Sequence, residues 1–84
     1  MKFCVITFRS VTPAQRGEGM LKRAGLDCTL QRTPRWMEEQ GCGYSLRLRS
    51  RDVALAAELL REKGIAYRKL YTLREDGKLE ELGL

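Results

Sequence analysis

From Phe3 to Phe8 only Thr7 interrupts a run of apolar residues, so both alternating faces of the segment need cover. That is the pattern of a central strand buried on two sides. The spacing then changes to a helical one. Thr12-Pro13-Ala14-Gln15 reads as a helix start, with Thr12 as the cap, Pro13 in the first helical position and Gln15 completing a capping box. Ala14, Gly17, Met20, Leu21 and Ala24 mark the apolar stripe, Lys22 and Arg23 meet the negative helix end, and Gly25 stops it.

Residues 26–33 alternate, with Leu26, Cys28 and Leu30 on one face, and Pro34 ends this second strand. Arg35 to Gln40 suits a single helical turn before Gly41-Cys42-Gly43. Tyr44, Leu46 and Leu48 then alternate with Ser45, Arg47 and Arg49, which predicts a strand with one core face and one basic face. Ser50 or Asp52 caps a second helix whose stripe is Val53, Ala56, Ala57 and Leu60 and which Gly64 closes. Ile65 to Leu73 reads as a fourth strand, Glu75-Asp76-Gly77-Lys78 as a turn, and Leu79 to Leu84 as a short tail that packs or frays.

Leu21-Lys22-Arg23-Ala24-Gly25-Leu26 aligns with Leu60-Arg61-Glu62-Lys63-Gly64-Ile65, an internal repeat of helix end, stop and strand entry. Two β-α-β halves follow, and joined by a short connection they predict an α+β, ferredoxin-like β-α-β-β-α-β sandwich: an antiparallel sheet with both helices on one face. Residues 1–74 form this single domain and residues 75–84 an acidic C-terminal tail.

Composition narrows what such a domain does. At 84 residues the chain holds one small domain. A chain of this size buries only about 60–65% of its unfolded surface, so a homodimer is a reasonable expectation. Histidine is absent, which removes the usual neutral-pH base, the partner of most Ser and Cys nucleophiles, and the commonest metal ligand. The chain is therefore expected not to be an enzyme, and no cofactor or metal is expected. Net charge is +5, arginine dominates the cations, and the acidic tail leaves the body more basic still. Such a field attracts nucleic acid, an anionic ligand or an acidic protein without distinguishing them. The first apolar run is too short for a signal peptide or a membrane span, so a cytoplasmic location is expected. There Cys4, Cys28 and Cys42 stay reduced, and no C-x-x-C pair offers a metal site.

Cys42 is the residue on which chemistry can rest. It stands between two glycines at a strand entrance, after Arg32 and Arg35, where small neighbours and nearby cations favour a reachable, more ionised thiol. An idle cysteine beside a structural turn is the competing reading. Cys4 and Cys28 lie in predicted strands and read as core residues. Trp36 and Met37 read either as a docking patch or as a cap on the core.

Val5-Ile6-Thr7-Phe8 ahead of a helix, Thr33-Pro34-Arg35 ahead of Cys42-Gly43, and Asp52-Val53-Ala54 opening a helix that ends Lys63-Gly64-Ile65 together resemble the selenium/sulfur carrier-like family of small bacterial proteins. The resemblance spans roughly residues 2–72, and its specific part is the Pro-Arg and Cys-Gly pair. It implies that the cysteine before glycine, Cys42, is the carrier residue, with Pro34 shaping the loop before it. The Cys-Pro pair of the better understood sulfur-relay proteins is absent. A carrier of this kind needs one exposed thiol that accepts sulfur or selenium from a cysteine desulfurase or another sulfur- or selenium-handling protein and hands it on by exchange. Gly41 and Gly43 would keep the loop open, and Arg35, Arg32 and Arg47 would contact the anion or an acidic partner.

Two other readings stay open. The sheet could serve as an RNA-binding module of the RNA-recognition-motif kind, since Gly43-Tyr44-Ser45-Leu46-Arg47-Leu48 faintly echoes its third-strand signature. If Tyr44 shares a face with Leu46 and Leu48, that face is core and no stacking platform remains. The third reading is a homodimeric adaptor whose sheets meet through Phe3, Val5 or Phe8.

Overall fold

The computed structural model describes residues 2–33, 43–73 and 79–82. In chain order these form β1 (Phe3–Phe8), α1 (Val11–Arg23), β2 (Cys28–Arg32), β3 (Tyr44–Arg49), a 3-10 turn (Ser50–Asp52), α2 (Val53–Glu62), β4 (Leu70–Leu73) and β5 (Leu79–Leu82). The sheet order is β2-β3-β1-β4-β5, and every neighbouring pair is antiparallel. β2 therefore runs parallel to β1 with β3 between them, and β4 runs parallel to β3 with β1 between them. These are two interleaved split β-α-β units, the ferredoxin-like sandwich that the internal repeat predicts.

β1 is the central strand, and Cys4 to Phe8 are all buried. Cys4, Ile6 and Phe8 point to the side where the helices pack and join Leu46, Leu48 and Leu70 with Ala14, Met20, Leu21, Val53, Ala56, Ala57 and Leu60 in one core. Fully burying a side chain the size of leucine or phenylalanine contributes about 1.5–3 kcal/mol, which is why the pattern of apolar positions decides the architecture. α1 comes close enough that a Cβ on Gly17 would sit 3.1 Å from Leu60 Cδ2 and 3.4 Å from both Leu46 Cδ1 and Phe8 Cζ. Glycine at this point lets the helix seat against both α2 and the sheet.

The repeated hexapeptide is the same helix terminus built twice. Gly25 and Gly64 take φ of 84° and 70°, the left-handed conformation that favours glycine. The Leu26 and Gly25 amides donate to the carbonyls of Leu21 and Lys22, and those of Ile65 and Gly64 donate to Leu60 and Arg61. Each is a Schellman motif, with an apolar pair, Leu21/Leu26 and Leu60/Ile65, closing it.

Four local expectations change. α1 begins at Val11 with Ser10 as its N-cap, in an extended conformation (φ −149°, ψ 174°) and without a side-chain cap bond. Thr12 and Gln15 therefore form no capping box, and Pro13 sits inside the first turn, where amides lack intrahelical partners and its missing N–H costs nothing. Ser50 to Asp52 form a 3-10 turn, so neither Ser50 nor Asp52 caps α2 through its side chain. The fourth strand is confined to Leu70–Leu73. Upstream, Ile65 completes the α2 Schellman motif, and the Lys69 amide donates to the Thr7 hydroxyl (3.0 Å) rather than to a ladder carbonyl. The tail supplies β5, whose Leu82 packs against the core and whose residues Leu79 to Leu82 pair with β4.

Candidate functional site

Cys42 lies in the connection between β2 and β3. The Thr33 amide donates to the Gly43 carbonyl (3.0 Å), extending the β2/β3 ladder one step beyond the Arg32–Tyr44 pair. Gly43, the residue after Cys42, is buried at this end of the sheet, as is Thr33. Pro34, Arg35, Gly41 and Cys42, together with Trp36 and Met37, lie outside the described residues.

By the alternation along β2 and β3, Thr33, Gln31 and Ser45 share the sheet face away from the helices, and Thr7 lies opposite Ser45 on β1. Ser45 is wholly buried there and Thr7 nearly so, whereas Arg47 further along the same face is exposed. The basic face expected from the alternation is thus basic only toward the Arg49 end of β3. Thr7 is satisfied by Lys69, but the hydroxyls of Thr33 and Ser45 are buried and have no hydrogen-bond partner among the described residues. Leaving a hydroxyl so costs about 1–3 kcal/mol, and orphaned groups of this kind often mark places where something else binds. Sequence reasoning passed over both residues. The available signal was the pair of small hydroxyl side chains, one just before Pro34 and one two residues after Gly43.

The other candidates divide between the two ends of the sheet. Arg32 ends β2 beside Thr33 and is exposed, though the alternation puts it on the helix-side face. Arg47 lies four residues along β3 from Gly43, about 13 Å at roughly 3.3 Å per residue. Its guanidinium lies 4.1 Å from the Phe3 ring centroid, in cation–π geometry, at the opposite end of β1 from Phe8. Gly43 and Arg32 therefore gather at one end and Arg47 does not join them.

The described cysteines are spent in the core. Cys4 is 1% exposed and Cys28 8% exposed, and both are free thiols. The Cys4 thiol donates to Ser50 Oγ at 3.2 Å. Burial pushes the Cys28 thiol above its ordinary value, and the nearby Glu18 carboxylate adds to the rise. Neither is a ready nucleophile. Among the described residues no group of carboxylates and thiols could hold a metal ion, and no helix is long and apolar enough to cross a membrane.

Tyr44 packs with Leu46 and Leu48 against the helix-side core, so the strand that echoes an RNA-recognition motif presents no aromatic ring at Tyr44 for base stacking. Phe8 is fully buried on the helix side and Val5 is 7% exposed, so of the three residues considered for a sheet-to-sheet dimer only Phe3 remains partly accessible.

A protein-family model described as "Putative Se/S carrier protein-like" matches residues 3–72, from the first residue of β1 into β4. No curated protein and no solved structure matches the chain.

Proposed function

Because this chain belongs to the Se/S carrier protein-like family, we propose that it carries sulfur or selenium as an adduct on Cys42, taken from one enzyme and passed to the next. One observation supports Cys42 above all: the other two cysteines are buried in the core, and the Cys28 thiol is pushed toward its neutral form. A transferable sulfur must be reached by large partners, which a thiol beneath two helices does not allow.

In the proposed step the Cys42 thiolate attacks the terminal sulfur of a persulfide on the donor enzyme. The donor's S–S bond breaks, its cysteine leaves as a thiolate, and Cys42 gains the S–S bond of a new persulfide. The sulfane sulfur moves without net oxidation or reduction, and the proton lost when the Cys42 thiol ionised goes to solvent. Attack by an acceptor nucleophile on the same terminal atom regenerates the Cys42 thiolate. Selenium follows the same course with an S–Se bond. The carrier supplies no acid, base or metal; its partners, a cysteine desulfurase or another sulfur- or selenium-handling protein, supply the catalysis. The hydroxyls of Thr33 and Ser45, without partners among the described residues, and the exposed Arg32 on the other face of the same sheet end suit a neighbouring connection that bears an anionic sulfur.

Incubation with a cysteine desulfurase and cysteine, followed by intact-mass measurement without reductant, tests this directly. The expected product is heavier by one sulfur atom in the wild type and in Cys4→Ala, and unshifted in Cys42→Ser. No adduct in the wild type, or an adduct that survives Cys42→Ser, would overturn the proposal.

A further inference from the structure

At the end of the sheet away from Gly43, the start of β1 is tied to the end of β3. The Ser50 amide donates to the Lys2 carbonyl (3.0 Å), and Phe3 pairs with Arg49. The junction borders an open cavity of about 280 Å³ lined by Lys2, Arg49, Ser50 and Arg51. All four side chains carry hydrogen-bond donors and three carry a positive charge. Ser50 Oγ already accepts the Cys4 thiol proton, which leaves its own hydroxyl proton to donate. Among the described residues Arg49 pairs with the carboxylate of Asp27 at 3.8 Å, and that carboxylate is 87% exposed, so solvent screens the contact strongly. No ion pair engages Lys2 or Arg51 among the described residues.

Three cations around one small cavity repel one another unless an anion joins them. The lining identifies the kind of anion. The lining residues come from two separate strand ends and flank Ser50 on both sides, a distribution suited to the several oxygens of a tetrahedral group more than to a planar carboxylate, and arginine forks match phosphate oxygens. The volume, just under the usual range of roughly 300–1,000 Å³ for ligand pockets, suits a small molecule. Arg49 also forms a wall of a second cavity of about 510 Å³, where Phe3, Asp27 and Thr29 offer a ring, a carboxylate and a hydroxyl to the rest of such a molecule.

We propose that this cavity binds the phosphoryl group of a small phosphorylated ligand through Lys2, Arg49, Ser50 and Arg51. The site stands independently of the carrier reading, since it uses none of that reading's residues.

The test is titration of the intact protein, followed by amide chemical shifts, with inorganic phosphate, AMP and a uridine tetranucleotide bearing no terminal phosphate, each at constant ionic strength against a chloride control. Phosphate or AMP is expected to move the Lys2, Ser50 and Arg51 amides saturably. Lys2→Gln and Arg51→Gln are each expected to weaken binding about tenfold, as loss of one charge-assisted contact implies, while Arg16→Gln on α1 leaves it unchanged. Saturation by phosphate and AMP alike identifies a free-phosphate site, and tighter binding of AMP a larger phosphorylated ligand; either supports the proposal. Equal response to chloride, unchanged affinity in both glutamine variants, or binding of the tetranucleotide alone would overturn it.

Discussion

Thr33 donates its amide to the Gly43 carbonyl over 3.0 Å, so the residue just before Pro34 and the residue just after Cys42 are held face to face at the end of the β2/β3 ladder. Thr33 and Gly43, the residues that flank 34–42, are thus paired at the edge of the sheet.

Beside that pair, Ser45 has a buried hydroxyl with no partner among the described residues. Ser45→Ala removes a polar group whose desolvation is uncompensated, so urea denaturation should show stability unchanged or raised by about 1 kcal/mol. If the hydroxyl serves the anionic sulfur, the same variant should alkylate more slowly at Cys42 with iodoacetamide at neutral pH. A loss of stability above 1 kcal/mol would show instead that the hydroxyl has a structural partner.

Arg32 and Arg47 should separate in sulfur loading. Arg47 is committed to Phe3 at the far end of the sheet, so Arg47→Gln should leave the rate of adduct formation on Cys42 within twofold of wild type. Arg32→Gln, next to Thr33, should slow it severalfold at low salt and less at high salt. Equal slowing by both variants would mean that overall charge, rather than position, attracts the donor enzyme.

Cys28 sets a pH dependence. Its thiol titrates higher in the folded state than the ordinary value of 9.0, first because it is buried and second because Glu18 is near. The folded state therefore holds this proton more tightly than the unfolded state does. The resulting stability is present in full below about pH 9 and is lost as pH rises through the folded-state value. Urea denaturation between pH 8 and pH 10.5 should show a steeper decline for the wild type than for Cys28→Ala. Parallel declines would assign the slope to other groups.

Gly17 should tolerate alanine and reject valine. Alanine gains about 1 kcal/mol of helix propensity, but its Cβ meets Leu60 Cδ2 at 3.1 Å, and Leu60 and Leu46 are both fully buried, so the two effects roughly cancel. Valine adds two methyl groups at the same crowded point and should cost on the order of 2–3 kcal/mol. Thermal melts of the two variants decide the matter, and a valine variant as stable as wild type would mean that α1 can shift outward.

The Schellman glycines offer a contrast. A Cβ on Gly25 or Gly64 would meet nothing within 4 Å, so any cost of Gly25→Ala or Gly64→Ala comes from backbone conformation alone. About 1 kcal/mol is expected for each, with Gly25→Asn recovering part of it because asparagine tolerates the left-handed region better. Asparagine as costly as alanine would point to a lost contact instead.

What the sequence determined by itself was whatever depends on short-range pattern. The apolar run Phe3 to Phe8, the alternation from Tyr44 to Arg49, the stripes of both helices and the repeated glycine stop each rest on a period of two or of about 3.6 residues, and together they specify the ferredoxin-like order. The carrier-like family was legible through the Pro-Arg and Cys-Gly pair. Tertiary structure decided the rest, because those features depend on which distant residue offers a competing bond or covers a face. The Thr7 hydroxyl takes the Lys69 amide while the Arg68 amide donates to the Thr7 carbonyl in its place, so the regular β4 ladder starts only at Leu70. The exposed edge of β4 recruits Leu79 to Leu82 as a fifth strand. Ser45, polar by type and placed on the face read as basic, is wholly buried, while Arg47 on that same face turns to Phe3. Periodicity assigns a residue to a face; only the packed chain determines what that face meets.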